Sequence, residues 1–133
     1  MLITNVDRTF RNTNMLIWNR ELWLIDHGAA FVFQHAWTNW QKNANGLFPI
    51  IANHVLLPQA SLLEEVNEDF KSRLNEELFE NLVAEVPEEW LLAGRDSDGI
   101  QELRQVYSEF LKLRLSNSDQ FTKEAQDART TLI

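Results

Sequence analysis

NVDRTFRNTNMLIWNRELWLIDHG, residues 5–28, carries the period that organises this chain. Met15–Trp18 and Leu22–Ile25 are two short apolar runs separated by Asn19-Arg20-Glu21. A polar turn containing an Asn, a residue that tolerates a left-handed backbone, between two such runs predicts a β-hairpin. Alternation along each strand then sets Met15, Ile17, Trp23 and Ile25 against Leu16, Trp18, Leu22 and Leu24. Both runs are almost wholly apolar, so both faces of the hairpin are expected to be covered. Asp26-His27-Gly28 ends the second strand, and Gly28 is the residue expected to allow a sharp bend.

Outside this stretch the period changes. Residues 29–60 read as a packed loop with helical turns, punctuated by Gly46, Pro49 and Pro58. From Ser61 onward the spacing is helical. Ser61 and Glu64 form a capping-box pattern ahead of Leu62, Leu63, Val66, Phe70 and Leu74, with Asn67 a possible break. Asn75 is placed to cap a second helix reaching about Val86, stopped by Pro87. A GRDSDG loop precedes a long helix from near Asp98 to about Leu115, with Ile100, Leu103, Val106, Tyr107, Phe110, Leu111 and Leu115 on one stripe. Ser118 is a candidate cap for a last helix carrying Phe121, Ala125 and Ala128. The expected class is mainly α with a small N-terminal β-hairpin.

Composition bounds the function. The chain has 133 residues, 44% of them apolar, enough for a core, and a formal net charge of -8. That balance disfavours direct nucleic-acid binding and anionic membrane surfaces. There is no Cys, so disulfide and thiolate chemistry are excluded. The opening residues contain no apolar run of signal-peptide length, and LFPIIA and HVLLP are far short of a bilayer span. A cytoplasmic location is expected. His27, His35 and His54 match no zinc spacing. They read as satisfied polar or partly buried residues, and the Trp residues as packing residues.

Asp7 and Asn12 lie five positions apart, and Asp26 follows the hairpin. Alone, Asp7 and Asn12 would be turn or cap residues. Together with Asp26-x-Gly28, they supply the parts that phosphoryl transfer needs: a carboxylate for the attacking hydroxyl and hard oxygen donors for metal, at a separation set by a rigid hairpin. Asp26 at the end of an apolar strand would be costly without a partner, and a metal ion is a natural one. Arg8 reads as a structural cation paired to an acidic neighbour, and Asn14 as structural.

TNVDRTFRNTNMLIW with ELWLIDHGAAFVFQHAW resembles the C-terminal lobe of HipA-like kinases, in particular the compact bacterial members, with HVLLP and VPEEWLL as further landmarks. The DR…N spacing and IDHG are also similar to phosphoinositide-type kinases, which share the superfamily architecture. The resemblance implies a C-lobe of a protein-kinase-like fold. Residues 1–35 would hold the catalytic loop, the hairpin and a metal-binding Asp-His-Gly, and residues 36–133 a helical C-lobe. It implies ATP and Mg²⁺ as cofactors, with Asp7 as catalytic Asp and Asn12 and Asp26 as metal and nucleotide ligands. Arg11 stands where relatives often carry Lys and would neutralise the transferring phosphoryl group. The chain departs from the family loop at Thr9, where His is frequent, and from Asp-Phe-Gly kinases at His27. No Gly-rich loop or strand Lys with a helix Glu partner is present. The chain therefore reads as one partial domain with the N-lobe missing: a gene fragment, a mis-set start, or half of a split enzyme. It is expected to be inactive alone and to need that lobe in cis or from a partner chain. The family's best-known members are toxin kinases, which implies a protein Ser/Thr substrate. The competing class is a non-catalytic helical interaction module, a kinase remnant.

Overall fold

The computed structural model describes residues 1–35, 37–92 and 99–132. Asn19 and Arg20 both take positive φ, 48° and 66°. Two consecutive left-handed residues make the tight turn whose twist matches a hairpin. The turn is thus one residue shorter than the sequence suggests, and Glu21 joins the second strand. Strands β1 (Met15–Trp18) and β2 (Glu21–Leu24) pair antiparallel, with Met15 opposite Leu24, Leu16 opposite Trp23, Ile17 opposite Leu22 and Trp18 opposite Glu21.

Directly opposed residues share a face. One side therefore carries Met15, Ile17, Leu22 and Leu24, and the other Leu16, Trp18, Glu21 and Trp23. The one-residue difference in turn length exchanges the faces of the whole second strand. The expected covering of both faces is also overturned: Ile17 is 70% and Trp18 63% exposed, and all of β2 is exposed. The ribbon stands off the helical body and is held at its base, where Ile25 N donates to Asn14 O over 2.9 Å.

The remainder is helical. Short 3₁₀ turns at Val32–His35 and Trp37–Asn39 lead into α1 (Trp40–Asn45). Two more, Pro49–Asn53 and Leu57–Gln59, each place a proline in the first turn, where no N–H is needed. Then follow α2 (Leu63–Arg73), α3 (Glu76–Ala84), α4 (Glu88–Leu92), α5 (Ile100–Ser116) and α6 (Ser118–Thr130). Asn75 caps α3 as expected, its Oδ1 accepting from Leu78 N at 2.8 Å.

The capping box at Ser61 does not form: α2 begins after Leu62 with no side-chain cap. Asn67 does not break α2. It is buried mid-helix, where its Nδ2 donates to Asp119 Oδ1 at 2.7 Å, tying α2 to α6. Lys71 binds the same carboxylate at 2.6 Å, and the two donors hold it below the usual carboxylate range. Asp98, the expected start of α5, lies outside the described residues. The helix begins at Ile100 behind Gly99, whose φ of 103° suits glycine. Ser118 opens α6 as its first residue rather than capping it.

The core has three centres along α5 and α6. Phe110 packs with Phe33 and Ala44, Leu111 with Phe79 and Val83, and Ala125 with Phe48, Ile51 and Leu57. The Phe33 and Phe110 rings lie 4.4 Å apart. Each buried Phe, Leu, Ile or Val among them contributes roughly 1.5–3 kcal/mol.

Arg114, on the same helix, is fully buried. Its Nη1 donates to Gly46 O at 2.6 Å and its Nη2 to Met1 O at 3.0 Å, with the guanidinium over the Phe121 ring. Burial lowers its pKa to about 10, which leaves it charged at neutral pH. Among the described residues, no helix is long and apolar enough to cross a membrane.

Candidate functional site

The loop 5–14 is organised by its own side chains. Asn5 Oδ1 accepts from Asp7 N at 2.9 Å. Thr9 Oγ1 accepts from Arg11 N and Asn12 N, each at 3.3 Å, which closes a Ser/Thr-type turn. Thr9 N donates to Asn12 O at 2.8 Å. Thr9 is therefore the residue that shapes the loop. The loop is backed by residues 54–55: Val55 N donates to Arg8 O, and Thr9 pairs with His54 as an isolated bridge.

Asp7 and Asn12 meet. Asn12 Nδ2 donates to Asp7 Oδ2 at 2.9 Å. Asn14, which is buried, donates its Nδ2 to Asp7 O at 2.7 Å and to Asp7 Oδ2 at 3.3 Å. Two amides thus orient one carboxylate oxygen. Asn12 Oδ1 has no hydrogen bond among the described residues.

Asp26 joins the same assembly through its backbone neighbour. Arg8 Nη2 donates to Ile25 O at 3.1 Å, and Ile25 N donates to Asn14 O. Val6 N donates to Ala29 O at 3.3 Å. Residues 6–14 and 25–29 are therefore stitched together on both sides of Asp7 and Asp26. Arg8 is buried and serves this stitch; among the described residues it makes no ion pair, contrary to the expected acidic partner. Asp26 and Arg11 are exposed, and neither side chain has a hydrogen bond among the described residues.

The exposure of Asp26 removes the burial argument for a metal partner. Asp26 has φ 50° and Asn14, across the base of the hairpin, φ 46°, a left-handed backbone that Asp and Asn adopt readily. The sharp bend lies at Asp26 itself, since Gly28 does not take a positive φ. Phe31 (52°) and Thr4 (49°) are left-handed too. For a β-branched or bulky residue that backbone is strained.

In the same stretch Thr4 Oγ1, Asn5 Nδ2 and Arg8 Nε are buried without hydrogen-bond partners among the described residues. Strain and unmet polar groups gather where structure serves function rather than stability.

Among the described residues no three His, Asp or Glu gather to share a metal ion. The implied pair, Asn12 and Asp26, is a hard-oxygen set of the kind Mg²⁺ takes when phosphate and water supply its other positions. Of the histidines, His54 is half-buried with Nδ1 accepting from Leu56 N at 3.2 Å, and burial lowers its pKa. His27 Nε2 lies 3.2 Å from Leu24 O.

Sequence reading missed Arg8 and Asn14 as the residues that bind the two halves of the site together. Both stand near Asp7 in the sequence, but the Ile25 carbonyl that Arg8 holds and the Ile25 N–H that Asn14 O accepts from lie across the hairpin. No family model, curated protein or solved structure matches this chain.

Proposed function

We infer that this chain is the lower, catalytic lobe of an ATP- and Mg²⁺-dependent phosphotransferase of the HipA-like kind, acting on a hydroxyl of the protein Ser/Thr class. The observation that carries the reading is the stitch between the Asp7–Asn12 loop and the Asp26 segment by Arg8, Asn14 and Ile25. Two carboxylates and an amide oxygen on one tied pair of segments meet the needs of phosphoryl transfer, where positioning and charge neutralisation dominate.

When bound, Mg²⁺ with ATP would supply the phosphoryl group and offset its charge. Asp7, with Oδ2 held by two amides, would accept the hydroxyl proton. Asn12 and Asp26 would hold the metal, and the exposed Arg11 would neutralise the transferring group. An upper lobe, in cis or from a partner chain, would close over the nucleotide.

The test is titration of the isotope-labelled chain with Mn²⁺ and ATP, read by paramagnetic broadening of amide signals. Broadening centred on Asn12 and Asp26 supports the reading. Broadening confined to the acidic helices α2–α4 overturns it. Transfer of labelled phosphate after an upper lobe is supplied then separates an enzyme from a kinase remnant.

A further inference from the structure

The chain's charge is unevenly placed. Residues 62–92, spanning α2, α3 and α4, carry ten Asp and Glu against Lys71 and Arg73, a net -8. That equals the formal charge of the whole protein, so the other residues sum to zero. The same three helices border two apolar depressions. One of about 420 Å³ lies against Leu74, Leu82 and Trp90, and one of about 230 Å³ against Val66, Phe70 and Leu74. Leu2 and Leu74 line both, so the two form one trough. Its walls are wet: Trp90 is 76% and Leu82 53% exposed, with Val66 and Phe70 also exposed. Among the described residues, no acidic side chain lines either depression. Along the chain, Glu85, Glu88 and Glu89 stand close to the lining residues Val86 and Trp90, so acidic residues flank the apolar ones.

We propose that this trough docks a basic amphipathic helix of a partner protein. The apolar floor suits a helix that presents one apolar stripe, and the acidic border suits Lys or Arg on its flanks. Charge selects among occupants. A fatty-acid anion, a nucleic acid and an anionic membrane are all repelled by the six carboxylates of these helices that make no ion pair among the described residues, Glu64, Glu65, Glu77, Glu85, Glu88 and Glu89. A second copy would bring the same -8 against itself. A neutral apolar ligand would gain nothing from the border. The surface is independent of the Asp7 site and of the kinase reading.

The probe is an 18-residue Leu/Lys peptide with Leu at helical i, i+3, i+4, i+7 spacing, beside a scrambled peptide of equal composition and a Leu/Glu twin. Fluorescence anisotropy should show binding of the Leu/Lys peptide, with affinity falling as salt rises. The scrambled and Leu/Glu peptides should bind at least about tenfold more weakly. Phe70→Ser with Trp90→Ser, both at exposed positions, should weaken binding roughly tenfold or more, whereas Ile17→Thr with Trp18→Thr on the hairpin should leave it unchanged. Amide shifts on the unaltered protein should map to α2–α4, a readout that does not depend on the variants folding. Equal binding of the scrambled peptide, shifts centred on the hairpin, or full affinity in a folded Phe70/Trp90 variant would each overturn the proposal.

Discussion

Arg8 reaches across the base of the hairpin and donates to the carbonyl of Ile25 over 3.1 Å. Arg8 follows Asp7 and Ile25 precedes Asp26, so one buried guanidinium joins the backbones of both candidate acidic residues. Replacing Arg8 with Met should keep much of its packing but orphan that carbonyl. The expected loss is about 1.5–3 kcal/mol, the usual worth of a hydrogen bond to a charged group. Urea unfolding measures it, and amide exchange at residues 25–28 should accelerate more than in α5.

Asp7, Asn14 and Asp26 should separate kinetically once an upper lobe is supplied. Asp7→Asn should leave nucleotide binding intact and lower turnover by roughly 10²–10⁴, the range for a positioned general base. Asn14→Ala should lower turnover less and destabilise the fold, because it releases both Asp7 O and Asp7 Oδ2. Asp26→Asn should instead weaken metal-dependent nucleotide binding, since a charged Mg²⁺ ligand is lost. Labelled-phosphate transfer and calorimetric nucleotide titration distinguish the three.

Asn75 and Ser61 look alike as caps in sequence but differ in the fold. Asn75→Ala removes a 2.8 Å bond to Leu78 N and should cost about 0.5–2 kcal/mol. Ser61→Ala touches no cap and should change stability by less than about 0.5 kcal/mol. Thermal or urea midpoints of the two variants test the contrast directly.

His54 should make the fold sensitive to mild acid. Burial, followed by the positive charge nearby, including Arg8, lowers its pKa below the ordinary 6.5, and neutral Nδ1 is needed to accept from Leu56 N. Below pH 6.5 the unfolded chain takes up this proton while the folded chain resists it. The stability His54 contributes is therefore complete above 6.5 and is lost as pH falls towards the folded value. Urea midpoints at about pH 7.5 and 5.5 should differ, and His54→Gln should shrink the difference.

Legibility followed the range of the forces involved. The hairpin, the Asn75 cap and the stripe on α5 depend on neighbours within a turn or two, and sequence reading found them. The hairpin register failed because φ at Asn19 and Arg20 decides turn length, and an Asn-Arg-Glu run is compatible with either length. Asn67 reads as a possible helix break because its partner, Asp119, is 52 residues away. The same distance problem hid Arg8 and Arg114, charged residues whose burial is compensated by remote carbonyls. Within the candidate site, the meeting of Asp7 and Asn12 was readable from their spacing. The amide of Asn14 on Asp7 and the left-handed backbone of Asp26 were not, because neither leaves a periodic trace.

Arg114 also sets an order of assembly. It holds the carbonyl of Met1 from 113 residues further along, and those of Ala44 and Gly46 from about 70 away. Synthesis runs towards the C-terminal side, so the loop and hairpin emerge well before the residue that anchors Met1. Met1 must therefore wait for its anchor until α5 is complete, while Ile17 and Trp18 are open to water before and after. The hairpin thus stays an apolar ribbon throughout assembly, the kind of surface a chaperone recognises.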